Sequence, residues 1–145
     1  MSPNRIVIIA ARWHAEIVDE AVRACRIALA DRGYPDVDVV EVPGAFEIPL
    51  RAKRLAASGE YAAIAACALV VDGGIYRHDF VAATVVDALM RVQLDTDVPV
   101  FSAVLTPHHF HEHEEHLTYF GRHFAVKGTQ LANAIVETLG LDVTV

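Results

Sequence analysis

Short apolar runs without polar interruption alternate along this chain with longer segments whose apolar residues recur at helical spacing. The first run, Ile6–Ala10, is rich in β-branched residues, which is typical of a strand covered on both faces. From Glu16 to Ala30, apolar residues recur three and four positions apart, and Gly33 ends the segment. Because a strand buried on both faces needs helices on either side of its sheet, the alternation predicts an α/β fold.

The same strand and helix unit returns along the chain. Further strands are predicted at Val37–Val42, Tyr61–Val71 and Pro99–Leu105, and further helices at Phe46–Ser58 and His78–Val92. Right-handed crossovers between such strands place them parallel in one doubly wound sheet, with ligands beyond the carboxyl ends of the strands. The predicted architecture is a flavodoxin-like three-layer sandwich, in which a four-stranded parallel sheet carries helices on both faces.

The C-terminal part of the chain departs from this alternation. The stretch from Thr106 to His123 is polar and contains six histidines, and Val126–Leu139 then resumes a helical pattern. We therefore predict two helices in this part. No internal repeat, linker or low-complexity tract divides the sequence, so residues 1–145 are expected to form one domain.

Composition and charge restrict the class of protein. With 145 residues, of which 54% are hydrophobic, the chain can bury a core without disulfides or metals. Its formal net charge of -7 offers no basic stripe to a polymer of phosphates, which argues against a nucleic-acid partner. Cys25 and Cys67 lie in apolar segments, as buried free thiols in a reducing compartment do. Because no signal pattern precedes Ile6 and no apolar run reaches about 18 residues, a cytoplasmic protein without membrane association is expected.

The loops after the first two predicted strands contain residues that a simple connector does not need. Trp13, the only tryptophan, is placed where an exposed aromatic stacks on a flat heterocycle; the alternative is that it fills the top of the core. In the second loop, Gly44 lets backbone approach a ligand. The next three residues open a helix whose N–H groups suit hydroxyls or anions: Ala45, Phe46 and Glu47. Alternatively, Glu47 only favours the dipole of its helix.

The third loop, Asp72–Asp79, places a pair of glycines after the predicted central strand and an Arg-His pair at a helix start. Glycines and a helix N-terminus both present N–H donors to an anion, which suggests phosphate binding. The loop is neither a Walker motif nor a dinucleotide fingerprint. Arg77 or His78 is a candidate to donate or relay a proton, although helix capping or an ion pair explains either residue equally well.

The fourth loop and the residues after it are dense in imidazole and carboxylate groups, which raises the alternative of a metal-carrying protein. His109 and His113 lie four residues apart, as do Glu112 and His116. A metalloprotease motif is not formed, because His111 and His116 lie five residues apart and rotate off one helical face. No zinc signature of defined spacing is present, so a metal site is not predicted.

In their order along the chain, these loops resemble those of the lumazine synthase family. The resemblance covers nearly the whole chain, and its most specific piece is the run Pro-Gly-Ala-Phe-Glu-Ile-Pro at Pro43–Pro49. The segments Ala11–His14 and Pro99–Thr106 match the family as well. Two further runs, Gly73–Phe80 and Thr106–His111, resemble the divergent type II branch of that family.

The resemblance implies a condensation of 5-amino-6-(D-ribitylamino)uracil with 3,4-dihydroxy-2-butanone 4-phosphate. Its products are 6,7-dimethyl-8-ribityllumazine, phosphate and water, in the penultimate step of riboflavin biosynthesis, and no cofactor is needed. Because the reaction mainly requires two reactants to be held together while a few protons move, proximity with modest acid–base help is sufficient. The alternative use of the same residues is a module that binds a flavin or lumazine with little turnover.

By position, the resemblance also implies roles for individual residues. The positions that contact the uracil ring or the ribityl chain are Trp13, Ala45, Phe46, Glu47, Leu69, Val70, Val71 and Lys127. Ser102 falls where the family often has an aromatic residue, and His116 where it usually has a phosphate-binding arginine. Gly74 and Ile75 are the remaining phosphate-binding positions. Since imidazole is only partly charged at pH 7, His116 predicts weaker phosphate binding.

Two residues are candidates for proton transfer. The ungapped register places Arg77 at the position of the family's catalytic histidine, and His78 follows one place later. Chemistry favours His78, because imidazole titrates near neutrality whereas guanidinium does not readily lose its proton. Both are kept as catalytic candidates.

The resemblance further implies that the site closes by assembly. Ser102 and His116 are expected to come from the subunit next to the one that supplies Trp13, because sites of the family lie across the interfaces of a pentamer. The residues between His116 and Lys127 replace a short glycine-containing turn that is typical of icosahedral members. A pentamer or two stacked pentamers is therefore expected.

Overall fold

The computed structural model describes residues 4–71, 78–106 and 114–143. Along the chain, its elements are β1 Ile6–Ala11, α1 Ala15–Asp31, β2 Val37–Val42, α2 Ile48–Ala57, β3 Ala63–Leu69, α3 His78–Thr96, β4 Val100–Leu105 and α4 Glu114–Val143. A single 3₁₀ turn, Ala45–Glu47, precedes α2. The predicted strands agree with these bounds to within two residues, whereas α2 begins later than predicted because the 3₁₀ turn takes up its first residues.

The four strands form one parallel sheet in the order β2-β1-β3-β4. Within it, Ala11 of β1 pairs with Val42 of β2, and Ala10 pairs with Cys67 of β3. The chain leaves β1 toward one edge of the sheet and returns to its other side with β3, so the strand order reverses between β1 and β3. In open α/β sheets, ligands bind at this kind of reversal, beyond the carboxyl ends of the strands.

The side chains of the central strands alternate between two apolar layers. Ile6 and Ile8 pack in one cluster with buried residues of α1 and α4, whereas Val7 and Ile9 pack in another with residues of α2 and α3. Every residue of β1 and of β3 is buried. This confirms the three-layer sandwich that the uninterrupted apolar runs predict.

Helices α1 and α4 come into close contact at Gly128 of α4. A Cβ atom added there would lie 2.2 Å from the carbonyl oxygen of Ala21 and 2.9 Å from its Cα. Glycine in a helix interior normally costs stability, but here no other residue fits. Gly128 thus allows α4 to lie directly on the backbone of α1.

The prediction of two C-terminal helices was wrong, because Glu114–Val143 is one helix of 30 residues. Phe120 and Phe124 are buried four positions apart in the layer that contains α1, and Leu131 and Ile135 continue the same layer. The histidines give this stretch a polar composition, yet the apolar stripe that determines the helix passes through it. Within the described residues, no helix has both the length and the apolar character needed to cross a bilayer.

Candidate active site

Loops that follow the strands are tied together at the carboxyl edge of the sheet. The backbone N–H of Arg12, directly after β1, donates to the carbonyl oxygens of Val42 at 3.0 Å and of Pro43 at 3.2 Å. After β3, the N–H of Val70 donates to the carbonyl oxygen of Leu105 at 2.8 Å. Each bond extends the sheet by one residue beyond the strand, so the loops begin from fixed positions.

Trp13 lies against Gly44 at this edge. A Cβ added to Gly44 would lie 2.7 Å from the indole atoms Cε2 and Cζ2 and 2.9 Å from Cη2, so the six-membered ring covers the glycine Cα. Trp13 as a whole is nevertheless 51% exposed. An aromatic that rests on backbone with half of its surface open fits a stacking platform better than a plug for the core.

The turn that supports the indole is closed by Glu47. Its carboxylate Oε2 accepts a hydrogen bond from the N–H of Gly44 at 3.1 Å, and its own N–H donates to the carbonyl oxygen of Gly44 at 3.2 Å. Between them, Ala45 is fully buried, whereas Phe46 is 65% exposed. Glu47 therefore does more than favour a helix dipole, because it fixes the shape of the turn.

The side chain of Arg12 connects the end of β1 to α1 and to β2. Its guanidinium donates to both carboxylate oxygens of Asp19 in α1, at 2.8 and 3.0 Å, and its Nε lies 4.0 Å from Oε2 of Glu41 in β2. The hydrogen bond raises the pKa of Arg12 and lowers that of Asp19 from its ordinary value. Arg12 is not among the site residues predicted from the sequence, where its only signal is its place beside Trp13.

The residues at the carboxyl end of β3 and the first residue of α3 also lie at this edge of the sheet. Leu69 and Val70 are buried and Val71 is half-buried. His78, a candidate for proton transfer, is the first residue of α3 and is half-buried. The phosphate-binding candidates Gly74 and Ile75 and the second proton-transfer candidate, Arg77, lie outside the described residues.

Ser102 is not brought to this platform within one chain. It is exposed on the edge strand β4, where its hydroxyl accepts a hydrogen bond from the N–H of Val104 at 3.2 Å. Through Ala66 it lies level with Ile9, four residues before Trp13 in the chain. Two strand spacings, about 10 Å, separate β4 from β1, and Ser102 lies level with Ile9 rather than with the loop after β1 that contains Trp13.

Two predicted site residues lie on α4. The backbone of His116 belongs to the first turns of this helix, but its side chain is outside the described part. Lys127 is half-buried and precedes Gly128, which contacts α1. Where side chains are described, no three His, Cys, Asp or Glu residues are grouped closely enough to hold a metal ion, and His109, His111 and His113 are outside that part.

Comparison of the sequence with known proteins gives the family of this chain. Residues 3–142 match the family model of 6,7-dimethyl-8-ribityllumazine synthase. The chain is 63% identical to the 6,7-dimethyl-8-ribityllumazine synthase of Rhodococcus erythropolis, over 94% of this chain and 89% of that protein. The chain belongs to the 6,7-dimethyl-8-ribityllumazine synthase family.

Two further relatives in this family are both named 6,7-dimethyl-8-ribityllumazine synthase 2. That of Pseudomonas syringae pv. tomato is 56% identical over 94% of this chain and 82% of its own length. That of Bradyrhizobium diazoefficiens is 56% identical over 97% and 86%. The identification confirms the predicted enzyme: a transferase that forms 6,7-dimethyl-8-ribityllumazine in riboflavin biosynthesis, on an α/β fold in which Trp13 and the Gly44–Glu47 turn are adjacent.

Proposed function

We propose that this edge of the sheet binds 5-amino-6-(D-ribitylamino)uracil, with the pyrimidine ring stacked on Trp13. The observation that carries the proposal is the half-exposed indole resting on Gly44. The backbone of Leu69 to Val71 then borders the ring, while the Ala45–Glu47 turn and Lys127 receive the hydroxyls of the ribityl chain. Aromatic stacking with a few directed polar contacts is the usual composition of a site for a small polar heterocycle.

The second substrate, 3,4-dihydroxy-2-butanone 4-phosphate, is proposed to bind beside it, at the loop between β3 and α3. Gly74 and Ile75 supply backbone donors for the phosphate, and His116 adds partial positive charge. The position of His78 at the start of α3 supports this half of the site, because a helix N-terminus favours anions. Arg77 and His78 remain the two candidates for proton transfer.

The reaction requires little beyond two substrates bound side by side and one acid–base group. The primary amine of the uracil attacks the ketone and water leaves as an imine forms; phosphate is then eliminated, and the second nitrogen closes the ring with loss of water. Each step moves protons between nitrogen, carbon and oxygen without a change that needs an external oxidant. Holding the two substrates together therefore supplies most of the acceleration, with one acid–base group assisting.

We also propose that the site is completed by a neighbouring copy, in a pentamer or two stacked pentamers, which supplies Ser102 and His116. The distance from Ser102 to Trp13 within one chain supports this, as does an exposed apolar stripe on α3. Val86, Met90 and Leu94 recur four positions apart on that stripe and are exposed. An apolar stripe of this kind on a chain that assembles is a natural contact between copies.

Turnover and assembly test these proposals together. Purified protein mixed with both substrates should form the lumazine, which is followed by its absorbance and fluorescence; tight binding of lumazine without product would contradict catalysis. Trp13→Ala and His116→Glu subunits should each have low activity alone, and the activity should rise when they are assembled together. Sedimentation should give five or ten chains, and a fully active monomer would overturn the assembly.

The two cysteines indicate the cellular compartment in which the protein works. Cys25 and Cys67 are both free and buried, and burial raises the pKa of the Cys25 thiol to about 12. We infer a cytoplasmic enzyme, because unpaired thiols are typical of reducing compartments. Fractionation of the native cell should recover the activity with the cytoplasmic proteins, and recovery from an oxidising compartment would contradict the inference.

A further inference from the structure

We infer that Arg12 is a positioning residue. Its paired hydrogen bonds to Asp19, called the Arg12 clamp below, fix the orientation of the Trp13 indole and thereby set the affinity for the pyrimidine substrate. The inference rests on the proposed function in one respect, since it takes Trp13 as the stacking surface. Arg12 itself is assigned no contact with substrate. It acts through the residue that follows it.

The backbone of Arg12 is tied to the loop after β2. The N–H of Arg12 is shared between the carbonyl oxygens of Val42 and Pro43, at 3.0 and 3.2 Å. Pro43 is the residue directly before Gly44, on which the indole rests. The chain just before Trp13 is therefore tied to the start of the same turn that supports its ring.

The side chain of Arg12 is held by two carboxylates. Two parallel N–H···O bonds of 2.8 and 3.0 Å join the guanidinium to Asp19, and Glu41 lies 4.0 Å from Nε on the other side. A bidentate pair fixes the direction of approach as well as the distance, which a single ammonium does not. One guanidinium thus links the end of β1 to α1 and to β2.

His14, which follows Trp13, is held by the first turn of α1. His14 has a left-handed backbone, with φ 55° and ψ 49°, a conformation that non-glycine residues adopt only when their surroundings hold them in it. Its carbonyl oxygen accepts hydrogen bonds from the N–H groups of Ile17 at 3.0 Å and Val18 at 3.1 Å. Trp13 therefore lies between two anchored residues, one held by α1 and the other by the Arg12 clamp.

Because the ion pair is exposed, its effect on substrate binding can be distinguished from its effect on the free energy of unfolding. The Asp19 side chain is 56% exposed, and exposed pairs contribute little to the free energy of unfolding. By contrast, a displaced stacking surface loses part of its contact with the pyrimidine ring, which lowers the affinity for the substrate. Removing the clamp should therefore disturb binding far more than folding.

The single tryptophan makes this measurable, because all tryptophan fluorescence of the chain comes from residue 13. In the assembled protein, Arg12→Lys and Asp19→Asn are expected to lower the steady-state anisotropy of Trp13 and raise its quenching by acrylamide. They should raise KM for the ribitylaminouracil roughly tenfold while kcat changes only about twofold. Asp19→Glu, which can keep a two-bond pair, should restore most of the anisotropy and of the KM.

A matched control lies on the same helix. Arg23 pairs with Glu20 on the surface of α1, as Arg12 pairs with Asp19, but that pair joins no loop to the sheet. Arg23→Lys should leave both KM and the Trp13 anisotropy unchanged. Equal effects of Arg23→Lys and Arg12→Lys would overturn the inference, because a general change in surface charge would then explain both.

Two other results would also overturn it. Wild-type anisotropy and KM in Asp19→Asn would show that the clamp positions nothing. A fall in kcat in Arg12→Lys with unchanged fluorescence would place Arg12 against the substrate instead. Failure of the stacking role itself is distinguished by Trp13→Phe and Trp13→Ala: if neither variant changes KM, the proposed pyrimidine site is wrong, while the anisotropy still reports whether Arg12 holds Trp13.

Discussion

The indole of Trp13 occupies the space in which any side chain at Gly44 would have to lie. A Cβ there would approach three ring carbons to within 2.9 Å or less. The backbone of Gly44 is extended, with φ -147° and ψ 179°, which every residue type adopts without strain. Glycine is therefore required at this position by the neighbouring ring alone and not by its own backbone.

Gly44→Ala should accordingly act through Trp13. The added methyl group displaces the indole from the turn, so KM for the ribitylaminouracil is expected to rise roughly tenfold, while the urea midpoint changes little. Steady-state kinetics with each substrate varied, together with the emission maximum of Trp13, provide the measurement. KM for the butanone phosphate should change less.

A double-mutant cycle isolates the cause. In a Trp13→Ala background, Gly44→Ala should have almost no further effect on KM, because the ring that the methyl group displaces is already gone. Additive effects of the two substitutions would contradict the proposed contact and would mean that Gly44 serves the substrate directly.

Gly128→Ala should loosen the contact between α1 and α4. Its methyl group would overlap the carbonyl oxygen of Ala21, so α4 must shift, at a cost of about 1–3 kcal/mol of unfolding free energy. Gly140, in the same helix, has nothing within 4 Å of an added Cβ, and Gly140→Ala should stabilise by up to about 1 kcal/mol. Urea denaturation of both variants tests this, and equal shifts in the two would refute the close contact.

The sequence predicts the sheet well because its signal is local. Runs such as Ile6–Ala10 have no polar position that a half-exposed strand or an amphipathic helix would require, and every residue of β1 and β3 is indeed buried. The parallel order of the strands then brings the loops after β1 and β2 to one edge, so the predicted site residues Trp13 and Ala45–Glu47 lie in neighbouring loops.

The remaining features depend on partners that are distant in the chain. The continuity of α4 rests on Phe120 and Phe124 meeting α1, a contact between opposite ends of the sequence that the surrounding histidines conceal. The Arg12 clamp depends on Asp19 lying one helical turn into α1 and on the neighbouring β2. Charged residues of these kinds are common on surfaces, so their spacing alone predicts no pair.

Substitution of the two proton-transfer candidates should separate their roles. His78→Ala is expected to lower kcat about a hundredfold, because a side chain positioned to exchange a proton is lost, with little change in phosphate-analogue binding. Arg77→Ala should instead weaken binding of the phosphate analogue, since a guanidinium holds phosphate by charge and paired hydrogen bonds. Pre-steady-state turnover and equilibrium titration measure the two effects separately, and the reverse pattern would assign the proton to Arg77.

At the opposite edge of the sheet, one carboxylate joins the amino ends of three strands. Asp38 of β2 accepts a hydrogen bond from the hydroxyl of Tyr61 at 2.7 Å and another from Arg5, whose guanidinium also lies 5.5 Å from the centroid of the Tyr61 ring. These bonds, that of Tyr61 first, hold the pKa of Asp38 below its ordinary value. The ionised form of Asp38 therefore stabilises the fold.

Because its folded pKa lies below its unfolded pKa, the contribution of Asp38 is present above about pH 4 and is lost as the pH falls through the folded pKa. Asp38→Asn should lower the urea midpoint at pH 7, and its difference from wild type should shrink as the pH falls from about 4 through the lower folded pKa, where the carboxyl of the folded wild type takes up its proton. Asp36→Asn, at an exposed position two residues earlier, is the control and should follow the wild-type curve. A wild-type difference for Asp38→Asn that stays constant from pH 7 to pH 3 would mean that its ionisation is not what ties the strands together.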